Sequence, residues 1–584
     1  MVDEKSFYGW WGRIARIDLS SARVTVDTPS FGTYKAFLGG RGLAGFYLKD
    51  HIRRSYDDPC MPVLIFAGPL TATPAPTSGR AVFASRSPLT GMVGDCSVGG
   101  RFGTALKRAG WDGLVITGKS RALCGIEISG QSIKIVTAAG LAGEKIGAAH
   151  GLLKKKGSTA VIGPAAENGV LFSNVMVDGR HAAGRTGLGL VLASKNLKYL
   201  TVSGNSRPRI FDRTGLKKAA EDVFRLIAAS PFLMGTFGIS SYGTGALFDL
   251  TDARTMMPTK NFSASFFRHA ASLNAPAYKS RFGFKSHGCA GCHIRCKKIS
   301  RNGEDIPEFE TMSHFSALID NADIDTVLEA NRICNDYGMD TISAATALAA
   351  WFELKKSKPR PEEIPRLLIK IGTSDGIGKS IGKGAWRLCE KYNRPEAAMC
   401  VKKMGLPAYD PRGAYGMALA YAVSSRGGCH LRAYPISHEI LRKPVPTDRF
   451  SFAGKARMIK NSEDANAVAD ALGACKFTFL AAGCEEYAKI FTAVTGLSMT
   501  GQDLLLTGER ICYNERLMNA KNGFSASDDD LPDRFFKPSK TDALPPIDRT
   551  AFLASKSAYY RIRGLDENGL PVKQKAEQLG LSWS

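Results

Sequence analysis

Cys289-Ala-Gly-Cys292-His-Ile-Arg-Cys296 packs three thiols into one short stretch of chain. Thiolates at this spacing suit three corners of a [4Fe–4S] cubane, with a fourth ligand to come from elsewhere in the sequence. A CxxC pair also suits tetrahedral zinc. No second CxxC or HxxxH pair follows at zinc-finger spacing, so the iron–sulfur reading is preferred. The chain has 13 cysteines in 584 residues, too few for a disulfide scaffold and consistent with a reducing, cytoplasmic setting. A cluster alone only carries electrons, so a catalytic centre is expected beside it.

Three stretches are dense in glycine with guanidinium groups between: Ser78-Gly-Arg80, Gly99-Gly-Arg-Phe-Gly103 and Ala182-Ala-Gly-Arg-Thr-Gly-Leu-Gly189. Glycine permits close backbone approach and arginine binds phosphate in two-pronged fashion, so together they suit a large phosphorylated cofactor. Two other motifs are misleading. Gly113-Leu-Val-Ile-Thr-Gly-Lys-Ser120 spells a P-loop, but a helix-like segment (Phe102–Ala109) precedes it and the strand-like residues lie inside it, the reverse of what phosphate binding needs. Gly40-Arg-Gly-Leu-Ala-Gly45 spells a dinucleotide fingerprint after only a weakly strand-like segment, and reads better as a turn into a helix. Asn335-Asp-Tyr-Gly-Met-Asp340 and Asp470-Ala-Leu-Gly-Ala-Cys475 share a shape; by themselves they read as helix ends, with glycine left-handed and Asp340 capping the next helix.

The elements that must position these groups change character along the chain. Up to about Ser203, short β-type runs (Ile14–Asp18, Val63–Ala67, Leu114–Thr117) alternate with glycine clusters. After Phe211, stretches such as Asp323–Asn335 and Ser343–Lys355 carry apolar residues at helical spacing and read as amphipathic helices. A Lys- and Pro-rich break at Lys355–Arg366 reads as a surface connection, and Gly405–Gly413 as a second irregular stretch. The expected class is α+β, with a β-rich N-terminal cofactor-binding domain (1–210) followed by two mainly α-helical domains (211–405 and 406–584).

No apolar run approaches the ~20 residues of a membrane span, and the N-terminus carries Asp3, Glu4 and two tryptophans where a secretory signal would be basic and apolar. The formal charge of +24 attracts acidic partners. A basic nucleic-acid-binding protein with a structural metal is an alternative from a different class. The charge is spread over many segments without a recognisable nucleic-acid motif, so docking of an acidic electron carrier is preferred and no nucleic acid partner is expected.

Taken together the chain resembles, over essentially its whole length, the tungsten-containing aldehyde:ferredoxin oxidoreductase family. The resemblance rests on Trp10-Trp-Gly-Arg, Gly40-Arg-Gly-Leu-Ala, Gly68-Pro-Leu-Thr, Ser87-Pro-Leu-Thr-Gly, Gly184-Arg-Thr-Gly-Leu-Gly, Ser194-Lys-Asn-Leu-Lys, Pro407-Ala-Tyr-Asp-Pro-Arg-Gly and Arg426-Gly-Gly-Cys-His430. It implies tungsten, or molybdenum, held by the dithiolenes of two pterins with no protein side-chain ligand, beside one [4Fe–4S] cluster. It further implies oxidation of an aldehyde to a carboxylic acid, with electrons passed to ferredoxin or a small iron–sulfur subunit. The alternative within the same cofactors is reduction of a carboxylic acid or an acyl or aromatic thioester.

By the same resemblance Cys475 is the fourth cluster ligand. Arg80 lies between cluster and pterin, and Ser97, Gly99, His181, Ala182, Gly184 and Arg185 belong to the pterin- and phosphate-binding loops. Asn335, Met339 and Asp340 form one pterin motif; Asp470, Gly473 and Ala474 form the other. Mg2+ joins the pterin phosphates near Ser97 and Ala182. Glu310 activates water or shuttles its proton, and His430 polarises the carbonyl. Three departures stand out: Ser97 where asparagine is common, the order Arg180-His181, and Ala474 for leucine. Glu329-Ala-Asn-Arg332 lacks the histidine of the ExxH pair that binds a metal at some dimer interfaces, so any homodimer is expected to lack interface iron.

Overall fold

The computed structural model of the chain describes residues 7–539 and 544–583. Asp3 and Glu4, used above in reading the N-terminus, lie outside them. Twelve strands in the N-terminal part form two six-stranded mixed sheets. The first contains β1 (Ile14–Asp18), β2 (Arg23–Asp27), β3 (Val63–Ala67), β4 (Ala81–Arg86), β5 (Val93–Val98) and β6 (Gly113–Thr117), in the order β2-β1-β6-β3-β4-β5. Only β1 and β6 run parallel in it. The second contains β7 (Cys124–Ser129), β8 (Ser132–Thr137), β9 (Ser158–Ile162), β10 (Val175–Val177), β11 (His181–Ala183) and β12 (Leu197–Ser203), in the order β11-β10-β9-β12-β7-β8.

Position in the sheet explains each strand's composition. β3 (Val-Leu-Ile-Phe-Ala) is buried on both faces at the middle of its sheet and is apolar throughout, whereas the edge strand β8 exposes Ser132, Lys134 and Thr137 and keeps its apolar residues half-buried. Side chains from both sheets, among them Ile17, Ile65, Phe83, Ile126 and Leu200, close one core around Phe102, Leu106 and Trp111. The P-loop spelling is indeed a strand: β6 runs through its first five residues, and the helix Phe102–Arg108 precedes it.

The remainder is mainly helical, with two small hairpins. One joins β13 (Lys285–His287) to β14 (Lys297–Ile299), and the whole cysteine motif is its turn. Helices Ile324–Tyr337 and Thr341–Leu354 fall on the expected segments. The second is not amphipathic, however. Ala344, Ala345, Ala347, Leu348, Ala349 and Ala350 are all buried, so small apolar residues face neighbours on every side. The expected surface connection at 355–366 also ends early, because a helix begins at Glu363 with Pro365 in its first turn, where the missing N–H costs nothing. Residues 405–413 are irregular between a strand end at Gly405 and a 3-10 turn at Pro411–Gly413, and they are buried throughout.

Candidate active site

Segments from distant parts of the chain deliver polar groups to one cavity of about 930 Å³ at the junction of sheets and helices. The β4/β5 ladder ends with Ala81 opposite Val98, which sets Arg80 and Gly99 side by side at its open end. Arg80 donates from Nε to Ser97 Oγ (2.9 Å) and from Nη2 to the Ser97 carbonyl, so the serine fixes the guanidinium. Gly99 is obligatory by space: a Cβ there would fall 2.4 Å from Cys289 Sγ. The β10/β11 hairpin presents His181, Ala182, Gly184 and Arg185. Asn335, Met339 and Asp340 come from the helix junction, where Gly338 is left-handed (φ 76°) and Asp340 caps Thr341–Leu354 by accepting from the Ile342 and Ser343 N–H groups.

Asp470 enters from the last turn of helix Lys455–Leu472, which Gly473 ends in the left-handed conformation (φ 77°). Its Oδ2 accepts from Lys476 Nζ at 2.6 Å, and Oδ1 has no partner. The second misleading motif explains how this helix is held. Gly40 begins the helix Gly40–Leu48, and a Cβ on it would lie 2.0 Å from the Asp470 carbonyl oxygen. Between the glycines, buried Arg41 reaches Asp470 (3.7 Å) and pairs with Glu515 (2.6 Å). The glycine-arginine-glycine run is therefore a helix-packing device that positions a cavity carboxylate.

The cysteines gather at one end. Cys289, Cys296 and Cys475 line the cavity, and Cys292 packs just behind. Burial raises the Cys475 thiol, the nearby Cys289 sulfur raises it further, and Arg80 opposes the rise. Burial and then Cys475 likewise push Cys292 up to about 11. Among the described residues no three His, Cys, Asp or Glu side chains converge on a point where one metal ion would sit.

Glu310 and His430 face each other in the same cavity. Glu310, in the first turn of helix Phe309–Phe315, is no exposed surface acid: its side chain is 16 % accessible, and Oε2 accepts from the Ala408 N–H at 2.8 Å. Burial pushes its carboxyl up to about 8. His430 is held well below the ordinary histidine range, first by burial and then by the Arg185 and Arg426 charges. Oε1 of Glu310 lies 3.5 Å from His430 Nε2, and His430 Nδ1 is unbonded. Tyr409 and Tyr434 complete the wall, their rings 5.7 and 6.1 Å from the His430 ring and their hydroxyls 3.2 Å apart.

The family model "Aldehyde ferredoxin oxidoreductase, N-terminal domain" matches residues 14–204, and "Aldehyde ferredoxin oxidoreductase, domains 2 & 3" matches 218–581. The tungsten-containing aldehyde ferredoxin oxidoreductase of Pyrococcus furiosus is 35 % identical, covering 98 % of this chain and 99 % of that one. The chain belongs to the aldehyde ferredoxin oxidoreductase family. The enzyme of the same description from Thermococcus kodakarensis is 34 % identical over the same shares. Among solved structures, the active site complex BamBC of benzoyl coenzyme A reductase superposes with a TM-score of 0.83 at 19 % identity, covering 99 % of this chain and 98 % of that one. That likeness establishes the α+β fold.

Most residues that the family resemblance singled out do line the cavity. Gly473 and Ala474 do not: the Gly473 carbonyl accepts from the Arg80 N–H, and Ala474 is fully buried behind it. Arg101, grouped with the phosphate-binding guanidiniums by its glycine neighbours, is exposed outside the cavity. Arg185 spends its guanidinium on the Gly428 and Gly405 carbonyls (2.7 and 2.6 Å) and on Asp340, so it ties three cavity segments together.

Several cavity groups were missed. Asp95 of β5 is buried, and against the effect of burial the Arg432, Arg426 and Arg41 charges hold its carboxyl well below the usual carboxylate range. Arg426 also donates to Cys429 Sγ (3.1 and 2.9 Å), and although burial opposes it, that charge lowers the thiol's pKa. The available signal was an acid inside the strand Val-Gly-Asp-Cys-Ser-Val, a position that needs a buried cation.

Proposed function

We propose that this protein oxidises an aldehyde to a carboxylic acid at a tungsten, or molybdenum, bis-pterin centre and delivers the two electrons through a [4Fe–4S] cluster to ferredoxin or a small iron–sulfur partner. The observation that carries the reading is the pairing of Glu310 with His430 in the cavity that also gathers Cys289, Cys296 and Cys475. The residues fit such groups. Gly99 leaves room at Cys289 that any side chain would take, and Glu310 Oε1, His430 Nδ1 and Asp470 Oδ1 are buried polar atoms without partners on cavity-lining residues.

Cys289, Cys292, Cys296 and Cys475 would hold the cluster. Arg80, fixed by Ser97, would stand between it and a pterin. Gly99, His181, Ala182, Gly184 and Arg185 would form one wall of the pterin site; Asn335, Met339 and Asp340, with Asp470, Gly473 and Ala474, would form the others. Carbonyls near Ser97 and Ala182 would take part in holding Mg2+. When bound, the tungsten centre and cluster supply two-electron acceptance and one-electron release. The division at 210 and 405 belongs to this reading.

The protein's own residues handle water, protons and orientation. Ionised Glu310 takes a proton from the attacking water, and its Ala408 N–H bond leaves Oε1 free for that task. Neutral His430 donates a hydrogen bond to the carbonyl oxygen, where negative charge develops as water adds. The ring wall of Phe309, Tyr409 and Tyr434 excludes bulk water around them. Overall, aldehyde and water give acid, two protons and two electrons.

Aldehyde oxidation is favoured over acid or thioester reduction because the relatives at 34–35 % identity bear the aldehyde name, whereas the likeness to the benzoyl coenzyme A reductase complex concerns fold. Two measurements test the proposal. Metal analysis should give one tungsten or molybdenum and four irons per chain. A panel of aldehydes should drive viologen reduction, and no reduction with any of them would sink the reading.

A further inference from the structure

From Ala253 to Gly303 the chain contains ten Lys or Arg and no Asp or Glu, and the cysteine motif lies near the end of this stretch. The structure brings the motif to the surface. It is the turn of the β13/β14 hairpin, with Gly291 and Arg295 exposed, and a Cβ on Gly291 would meet nothing within 4 Å. Lys279, Lys285 and Arg301 are exposed around the hairpin and form no ion pair among the described residues. Arg281 and Lys297 are the pairing exceptions, to Asp325 and Glu308.

Apolar anchors flank this basic surface. Phe224, on helix Arg213–Ala228, is 39 % exposed and stands edge-on to the His293 ring at 4.6 Å, inside the cysteine motif itself. At the hairpin's base, Phe237 is 78 % exposed and stacks on Tyr242, which in turn packs edge-on against Phe284 beside Lys285. Exposed aromatic rings beside unpaired cations are the composition of a protein-docking face, with the rings as anchors and the charges as steering groups, although Glu221 and Asp222 on the Phe224 helix add two acids at its edge.

Resting on the functional reading above, we propose that this face is the docking surface for an acidic iron–sulfur electron carrier. Phe224 and Phe237 are its anchors, Lys279, Lys285 and Arg301 its steering charges, and the cysteine loop the point of closest approach. A carrier seated there meets the loop directly, without a long protein path between donor and acceptor. Nucleic acid would also answer positive charge, but the rings here flank the cysteine loop rather than interleave with cations along a groove that could follow a backbone.

The test uses the holoenzyme and a bacterial-type [4Fe–4S] ferredoxin of net negative charge. Lys279→Glu with Lys285→Glu should lower kcat/KM for ferredoxin roughly tenfold or more at low salt, the difference shrinking as salt rises. Phe224→Ser should weaken ferredoxin binding by calorimetry with little salt dependence. Aldehyde-driven viologen reduction and iron content should stay at wild-type level in all variants. Unchanged ferredoxin kinetics and affinity in these variants overturn the docking proposal. Absence of viologen reduction in the wild type defeats the functional reading instead, and the calorimetry still decides the surface.

Discussion

Glu310 Oε1 lies 3.5 Å from His430 Nε2, and apart from that approach neither Glu310 Oε1 nor His430 Nδ1 has a partner. Two buried polar atoms left open in one cavity define where an acid–base step is set up. Glu310→Gln keeps the shape and the Ala408 contact but removes the base, so kcat should fall about 10²–10⁴-fold with tungsten and iron contents unchanged. His430→Gln should cost about 10²-fold or more in kcat while metal is retained. Steady-state kinetics beside metal analysis would check both; full activity in Glu310→Gln would remove Glu310 from the mechanism.

The raised Glu310 carboxyl gives a pH signature. The ionised form is the base, so kcat/KM should rise with pH along a limb centred near 8, the value to which burial pushes the group. His430, held low, is neutral over the same range and adds no limb there. The stability sign is opposite. The folded form keeps a proton that the unfolded carboxyl loses near 4.5, so stability falls as pH rises from about 4.5 to 8. In Glu310→Gln both the kinetic limb and this contribution to the thermal profile should vanish.

Cys475→Ser should yield protein with depleted iron, since its thiol sits beside Arg80 and the Cys289 sulfur of the hairpin turn. Gly99→Ala should do the same without removing a ligand, because its Cβ would stand 2.4 Å from Cys289 Sγ and displace it. Iron content and the electronic absorption of the purified variants check both. Wild-type iron in Cys475→Ser would mean another fourth ligand.

Gly40→Ala should be harsher than an ordinary helix substitution. A methyl group would stand 2.0 Å from the Asp470 carbonyl oxygen at a left-handed φ of 39°, so the two helices must part and Asp470 must move. Lower pterin content together with a lower thermal midpoint is expected; loss of stability alone would mean the helix contact does not position Asp470.

Asp529 is fully buried between Lys402 (2.6 Å) and Arg516 (2.8 Å). Asp529→Ala strands two buried cations, a change that typically costs about 3–5 kcal/mol. Faster thermal inactivation at a given temperature is the readout, and a wild-type half-life would contradict the structural role of the triad.

Local signals in the sequence were read correctly where the cause was local. Gly338 and Asp340 end and start helices because of their own backbone and side-chain chemistry, and β6 was legible inside a false P-loop because strand propensity and context agree. Helix Thr341–Leu354 was misread in its environment because several neighbours bury it, and helical spacing reports only one apolar face. Asp95 with Arg432 and Arg41 with Glu515 were invisible, since no local pattern encodes which distant cation meets which anion. Glu310 was legible only through family resemblance; by composition it sat among Glu304, Asp305 and Glu308.

The Arg41–Glu515 pair spans 474 residues of sequence. At ~5–20 residues per second of synthesis, Arg41 leaves the ribosome roughly half a minute or more before its partner exists. Until then the helix that presses on Asp470 lacks the two-pronged partner of its buried cation, with only the longer Asp470 approach (3.7 Å) to meet. The N-terminal sheets can form early, but the cavity they border takes lining residues from as far along as Leu505 and is complete only when that span has been made. Nascent chains that have not yet reached Glu515 are thus expected to depend on chaperones, and a metal centre to be installed only once that span has been made.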